Sequence, residues 1–220
     1  MSALQEQLRG LPLVAILRGV EPGEAVAIGH VLIEAGFPAL EVPLNSPEPL
    51  RSIAALASAF GERVLVGAGT VLDPADVGRI AGAGGRLIVM PHADHAVIRA
   101  AKTLGLWCMP GVATPTEAFG ALAAGADALK MFPAEALPPA VVKAWRAVLP
   151  QGVWLLPVGG ITPERMAPYV AAGADGFGLG SALYRRGMAP AETAARAATF
   201  AAAYRDLTAR DATDLAGPTG

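Results

Sequence analysis

The chain has 220 residues, of which 53% are hydrophobic and 16% charged, and its formal net charge is −2. This length suits one barrel-sized domain and is too short for two ordinary domains. The nearly balanced charge gives no sign of a surface for nucleic acid or an anionic membrane. A single cysteine, Cys108, excludes an internal disulfide, and the first ten residues lack a signal-like pattern, so we expect a cytoplasmic protein.

The mean hydropathy of +0.45 is high for a water-soluble protein. The stretch 147–163 carries no charged side chain, but prolines and glycines interrupt it before a membrane-spanning helix could form. We therefore expect a soluble protein whose excess of apolar residues lies in a parallel sheet that is buried on both faces.

Eight short aliphatic runs recur along the chain, and their starts lie 20 to 26 residues apart, which is the length of one strand, one helix and two loops. Alanine-rich stretches with helical periodicity separate them. The pattern predicts a single α/β domain, a (β/α)₈ TIM barrel over residues 1–207, with a doubly wound open sheet as the alternative. A short leading helix is expected before residue 11 and a disordered tail over 208–220. The runs are LVAIL (13–17), ALEVPL (39–44), VLVGAG (64–69), LIVMP (87–91), WCMPGV (107–112), ALKMFP (128–133), WLLPVGG (154–160) and GFGLG (176–180).

Helix boundaries are marked by repeated phrases in the sequence. Glycines that follow alanine-rich stretches are expected to end helices in the left-handed conformation, and a polar residue before proline is expected to begin them. The expected ends are Gly36, Gly84, Gly125 and Gly173, and the expected starts are Ser46-Pro47, Asp73-Pro74, Thr114-Pro115 and Thr162-Pro163.

Lys130 lies inside the apolar run ALKMF, where an ammonium group is costly to bury unless it is paired. A buried lysine has a lowered pKa and can attack a carbonyl as the neutral amine, whereas arginine cannot form an imine. Glu41 is the only carboxylate in the eight runs, and strand alternation points it into the barrel while Leu40 and Val42 face the helices. Glu41 could serve as a general acid–base, or the two residues could form a purely structural ion pair.

Further polar residues follow the strands at the end of the barrel where such folds carry their active sites. Arg18 follows the first strand and could hold a carboxylate, or form an ordinary surface ion pair, and Thr70 ends the third strand. His92, Asp94 and His95 follow the fourth strand. No third metal ligand stands at a recognisable spacing, so loop and capping roles are favoured there and no metal is expected.

Glycine pairs follow the last two strands, Gly159-Gly160 and Gly180-Ser181. Backbone amides that open a helix at this point of a barrel commonly bind phosphate. Tight turns also use glycine, so either pair alone is weak support. Two pairs in consecutive positions favour a phosphate site.

The phrases LPLVAILRG, LEVPLNSP, GAGTVL, ALKMFP, PVGGITPE and GLGSALY, between about residues 11 and 205, resemble the 2-keto-3-deoxy-6-phosphogluconate and -galactonate aldolases. These are class I barrel enzymes that use neither a metal nor a cofactor, and they are usually homotrimers. The resemblance implies that Lys130 forms a Schiff base with a phosphorylated sugar acid and that Glu41 is the general acid–base. The substrate contacts that it implies are Arg18 and Thr70 at the carboxylate and keto end, Phe132 beside the lysine, and Gly159, Gly160, Gly180 and Ser181 around the phosphate.

The two branches of this family differ in the residue before the glycine pair, which is typically threonine in the gluconate branch and valine in the galactonate branch. Val158 stands here, so the resemblance favours a lyase that acts on the galactonate substrate, although KMFPAEA also occurs on the gluconate side. His92 departs from the Asn or Gly expected after strand four. The alternatives are the gluconate substrate, a phosphate-binding isomerase or epimerase, and a barrel that binds sugar phosphates without catalysis.

Overall fold

A computed structural model describes residues 6–215 of the chain, with side chains as far as residue 209. Parallel strands alternate with helices throughout this range. The strands are β1 (Leu13–Ile16), β2 (Ala39–Pro43), β3 (Leu65–Gly69), β4 (Leu87–Val89), β5 (Trp107–Met109), β6 (Gly111–Val112), β7 (Leu129–Met131), β8 (Leu155–Pro157) and β9 (Phe177–Leu179). The α-helices are α1 (Pro22–Glu34), α2 (Pro49–Phe60), α3 (Pro74–Gly82), α4 (His95–Thr103), α5 (Pro115–Ala123), α6 (Pro139–Arg146), α7 (Pro163–Ala171) and α8 (Pro190–Leu215), and a 3₁₀ turn covers Gly61–Arg63.

The strands close into a barrel. Six of them pair in the order β5-β4-β3-β2-β1-β9 and three in the order β6-β7-β8, and a parallel bridge between Val158 and Gly178 joins the two groups. β5 and β6 are the halves of the fifth predicted strand, divided at Pro110, which has no N–H group for the ladder. The Pro110 carbonyl still accepts a hydrogen bond of 2.9 Å from the Lys130 amide. The predicted (β/α)₈ barrel is confirmed, and the open doubly wound sheet is wrong.

Alternation along the strands divides the apolar side chains into two sets. Leu40, Val42, Leu129 and Met131 belong to the large core between the strands and the helices. Their strand neighbours turn inward, where a smaller apolar cluster fills the barrel, with Leu8 from the leading segment in the same cluster. The members of that cluster are Leu8, Val14, Ala39, Leu65, Leu87, Val89, Met109, Ala128 and Leu156. The lower interior of the barrel is therefore filled by side chains, and the C-terminal ends of the strands are the place where such barrels carry their active sites.

The predicted helix ends are confirmed, because Gly36, Gly84, Gly125 and Gly173 all have positive φ angles. Three of the four predicted starts are N-caps, and the Asp73 and Thr114 side chains accept hydrogen bonds from the backbone of the first turn. The start predicted at Ser46-Pro47 is wrong, because α2 begins at Pro49 after Glu48. The Ser46 hydroxyl instead accepts a hydrogen bond of 2.9 Å from the Gly19 amide, which ties together the loops after β1 and β2.

The sequence predicts a short leading helix before residue 11 and a disordered tail over 208–220. Residues 6 and 7 are helical, and residues 1–5 of the expected leading helix lie outside the described residues. α8 continues to Leu215, so the tail expected from residue 208 is helical as far as that residue. The first helix-breaking residues after Pro190 are Gly217 and Pro218, which explains why the helix does not stop at 207. In the described part of the chain, no helix combines the length and apolarity needed to cross a bilayer.

Candidate functional site

A pocket of about 200 Å³ opens among the loops at the C-terminal ends of the strands. Directly below it, inside the barrel, lies a cavity of about 10 Å³, which is room for about one water molecule. Lys130 lines both spaces, and Glu41 lines the lower one. The other eight residues predicted for the site all line the upper pocket: Arg18, Thr70, Phe132, Val158, Gly159, Gly160, Gly180 and Ser181.

Lys130 lies on the middle residue of β7, between Leu129 and Met131, which face the helices. The side chain therefore enters the barrel, where it is 7% exposed, and its Nζ lies 4.7 Å from the centre of the Phe132 ring. Burial lowers the pKa of Lys130, and the Arg18 charge lowers it further, while the Glu41 charge acts in the opposite direction. A larger fraction of the side chain is then the neutral amine that can attack a carbonyl.

Glu41 lies on β2 and is 1% exposed. Burial raises the pKa of Glu41 to about 7, although the nearby charges of Lys130 and Arg18 both lower it. Its Oε2 atom is buried without a hydrogen-bond partner, and no ion pair joins it to Lys130 among the described residues. A carboxyl group that titrates near neutral pH can both accept and donate a proton, as a general acid–base must.

Glycine on the neighbouring strand makes room for this carboxyl group. Gly69 ends β3, and a Cβ atom at that position would overlap both the carboxyl carbon and Oε2 of Glu41. Only glycine therefore lets the Glu41 side chain reach its observed position. The run VLVGAG (64–69) predicts the strand, but it carries no signal for this requirement.

Arg18 and its neighbours form one end of the pocket. The Arg18 guanidinium donates a hydrogen bond of 2.7 Å to Asn45 Oδ1 and a longer one of 3.5 Å to Thr70 Oγ1. Thr70 has a φ of 56°, an uncommon conformation for a β-branched residue that occurs mainly at turns and functional sites. Sequence reasoning missed Asn45, which holds Arg18 in place.

The glycine loops form the opposite end of the pocket. Among the described residues, the backbone amides of Gly160 and Ser181 donate no hydrogen bond, so both are available to an anion. The helix expected to open at Gly180-Ser181 begins instead at Pro190, and the Gly180 carbonyl accepts hydrogen bonds from the next loop residues in a single turn. The loop after β9, residues 180–189, thus presents the Ser181 amide without a long helix directly behind it.

Two side chains beside these loops were also missed by sequence reasoning. The carboxylate of Glu135, in the loop after β7, lies against Gly159 and Gly160. Arg165 Nη1 donates a hydrogen bond of 2.6 Å to the Gly160 carbonyl. The glycine loops therefore have one acidic and one basic neighbour.

Tyr169 on α7 anchors the loop that follows β7. Its hydroxyl is buried, and its single proton is shared between the Ala134 carbonyl at 2.8 Å and the Leu137 carbonyl at 3.1 Å. Tyr169→Phe should lower the free energy of unfolding by about 1–3 kcal/mol, because both carbonyls lose this donor. Urea unfolding of the two proteins measures the difference, and equal unfolding free energies would contradict the assigned role.

His95 and Asp94 have the predicted local roles at the start of a helix. His95 is the first residue of α4, and Asp94 caps that helix by accepting hydrogen bonds from the amides of Ala96 and Val97. Those contacts lower the pKa of Asp94. No cluster of three potential metal ligands occurs within the described range of the chain.

Comparison with known proteins identifies the family. The model of the KDPG and KHG aldolase family matches residues 4–198. The chain is 51% identical, over 89% of its length and 96% of the relative's, to the 2-dehydro-3-deoxy-6-phosphogalactonate aldolase of Escherichia coli K12. It is 33% identical, over 76% of its length and 77% of the relative's, to the 2-dehydro-3-deoxy-phosphogluconate aldolase of Treponema pallidum.

The fold gives the same result. A solved structure described as native KDPGal superimposes with a TM-score of 0.89 at 50% sequence identity, over 91% of this chain and 97% of the other. The residues matched by the family model, 4–198, include all the residues that line the pocket. This chain belongs to the KDPG and KHG aldolase family.

Proposed function

We propose that this chain is a class I aldolase that cleaves 2-dehydro-3-deoxy-6-phosphogalactonate into pyruvate and glyceraldehyde 3-phosphate. The observation that carries the proposal is the buried amine of Lys130, with a lowered pKa, near a carboxyl group that titrates close to pH 7. Both groups lie at the base of a pocket with a cation at one end and free backbone amides at the other.

The two ends of the pocket suit the two charged ends of the substrate. Arg18, assisted by Thr70, would bind the carboxylate next to the ketone. The amides of the glycine loops would bind the phosphate. Holding both ends places the ketone at Lys130 and the bond to be broken near Glu41, so that little orientational freedom is left to lose in the reaction.

The reaction begins when the neutral amine of Lys130 adds to the C2 ketone. Loss of water, with protons moved by Glu41, gives a protonated imine that can accept an electron pair. Glu41 then takes the proton of the C4 hydroxyl, the C3–C4 bond breaks, and its electrons pass to the imine to form an enamine. Glyceraldehyde 3-phosphate leaves, C3 takes up a proton, and water releases pyruvate and the free lysine.

The galactonate substrate is preferred in this proposal because of Val158 and the higher identity to the galactonate relative. Val158 lines the pocket directly before the glycine pair. A methyl group there offers no hydrogen bond to a substrate hydroxyl, so discrimination between the epimers should differ from that of a site with threonine. Measuring kcat/KM for both epimers decides between them, and a higher value for the gluconate would reverse the assignment.

The mechanism is tested by trapping the imine. The full chain is incubated with pyruvate, reduced with borohydride and mapped by mass spectrometry. We expect a stable adduct on Lys130 and, with substrate, release of pyruvate. An isomerase or a phosphate-binding barrel without catalysis would give neither, so absence of both results would reject the proposal.

Asn45 is predicted to orient Arg18 for the substrate carboxylate. Asn45→Ala removes the 2.7 Å hydrogen bond to the guanidinium and should raise KM about threefold to tenfold with little change in kcat. Gln151→Ala is a matched control, because it removes an exposed amide from the loop before β8, at the opposite end of the barrel. An equal KM for the Asn45 variant and the wild type would contradict the role.

We extend the proposal to assembly and compartment. The resemblance to this family supports a homotrimer, which sedimentation of the purified chain would test. The single cysteine and the metabolic substrate support a cytoplasmic location. No metal or cofactor takes part in the proposed reaction, so activity should survive treatment with a chelator.

A further inference from the structure

Glu135 places a negative charge against the two glycines of the proposed phosphate site. A Cβ atom added to Gly160 would lie 2.9 Å from Glu135 Cγ and 3.0 Å from Glu135 Oε1. One added to Gly159 would overlap Glu135 Oε2 and lie 3.1 Å from the carboxyl carbon. The carboxylate therefore covers the same face of the glycine loop that lines the pocket.

The backbone around Glu135 is held in place, whereas its side chain is not. The Ala134 amide donates a hydrogen bond of 2.8 Å to the Val158 carbonyl, and Tyr169 binds the Ala134 carbonyl from the other side. The Glu135 side chain is exposed, and within the described residues its carboxylate takes part in no hydrogen bond or ion pair. Rotation of this side chain would break no bond, so it can leave the glycines while the loop stays fixed.

We propose that the Glu135 carboxylate competes with the substrate phosphate for the space above Gly159 and Gly160, and so sets the affinity of the site for phosphate. This inference rests on the proposed function, which places the phosphate at these glycines. The incoming phosphate displaces the carboxylate, and the carboxylate can return when the phosphorylated product leaves. Arg165 offers a place for the displaced charge, because its Nη1 also lies 2.9 Å from the Cβ position of Gly160.

The size of the effect follows from the charges involved. A phosphate monoester carries about −1.5 to −2 charges near neutral pH, and a displaced carboxylate that remains on the same side chain, on the order of 4 Å away, still repels it measurably when water screens both. Removing the carboxylate charge should therefore tighten phosphate binding about tenfold. A substrate without phosphate should show no such change.

The test compares Glu135→Gln with the wild type and with Glu164→Gln. Glutamine keeps the shape of the side chain and removes its charge. Glu164 is an exposed carboxylate in the first turn of α7, so its replacement changes the net charge equally without touching the glycines. Inorganic phosphate serves as a competitive inhibitor of cleavage, and condensation of pyruvate with unphosphorylated glyceraldehyde serves as the phosphate-free reaction.

We expect the inhibition constant of inorganic phosphate to fall about tenfold in Glu135→Gln and to stay unchanged in Glu164→Gln, with equal rates for unphosphorylated glyceraldehyde in all three proteins. An unchanged inhibition constant in Glu135→Gln, or an equal fall in Glu164→Gln, would overturn the inference. Trapping of pyruvate on Lys130 does not involve phosphate. If trapping succeeds and the inhibition constants are equal, only the role of Glu135 fails; if trapping fails, the proposed function fails.

Discussion

Lys130→Arg should reduce kcat for cleavage by about 10⁴-fold or more, because the guanidinium keeps the positive charge beside Glu41 and cannot form an imine. The chain has three lysines, so the experiment has a natural control. Lys143→Arg makes the same substitution at an exposed position on α6 and should leave kcat unchanged. Cleavage assays and borohydride trapping of both variants measure the effect.

Retention of cleavage by Lys130→Arg would contradict the imine mechanism directly. Circular dichroism and the urea midpoint establish whether the variant folds. A folded variant without cleavage supports the assignment of Lys130. A folded variant with normal cleavage would mean that Lys130 and Glu41 have only a structural role.

Glu41→Gln should lower kcat by about 10²–10⁴-fold and at the same time stabilise the fold at alkaline pH. The loss of activity follows from the loss of the general acid–base. The gain in stability follows from burial, which raises the pKa of Glu41 from 4.5 to about 7 and leaves Oε2 without a partner.

The sign of the pH effect follows from that shift. Below pH 4.5 the carboxyl group is protonated in both folded and unfolded chains, so its contribution to stability is fully present. As the pH rises from 4.5 to about 7, the unfolded chain ionises while the folded chain keeps its proton, so the free energy of unfolding falls. Above about pH 7 the folded chain also ionises and the loss levels off, at on the order of 3 kcal/mol. Glutamine has no such cost.

Urea unfolding at pH 6 and pH 9 tests this prediction. The free energy of unfolding of Glu41→Gln should exceed that of the wild type by a margin that widens between the two pH values. If the free energies of unfolding of the two proteins changed in parallel with pH, burial would not raise the pKa of Glu41. The kinetic and stability results are independent, so either can fail alone.

The strand order and the orientation of the reactive pair could be predicted because both depend on short-range periodicity. The eight aliphatic runs gave the barrel, and alternation within ALEVPL and ALKMFP placed Glu41 and Lys130 inside it. The residues beyond strand ends were also found, since neighbouring strands of a parallel barrel bring their following loops together.

What sequence reasoning missed depends on loop geometry and on the path of single side chains. Asn45 follows the strand beside that of Arg18, and Glu135 follows the strand beside that of Gly159, so each was in reach of the same reasoning. The contacts themselves require the turn at Ser46, which ties two loops together, and the rotamer of an exposed glutamate. Neither has a periodic signature.

Because Gly69 has no side chain, the residues at positions 69 and 41 cannot vary independently of each other. A single added methyl group there would collide with the Glu41 carboxyl group, although the substitution itself changes no charged residue. Natural variation and engineering can therefore change Gly69 only together with Glu41. A search for activity determinants among polar residues alone would overlook Gly69, although its lack of a side chain leaves the space that the Glu41 carboxyl group occupies.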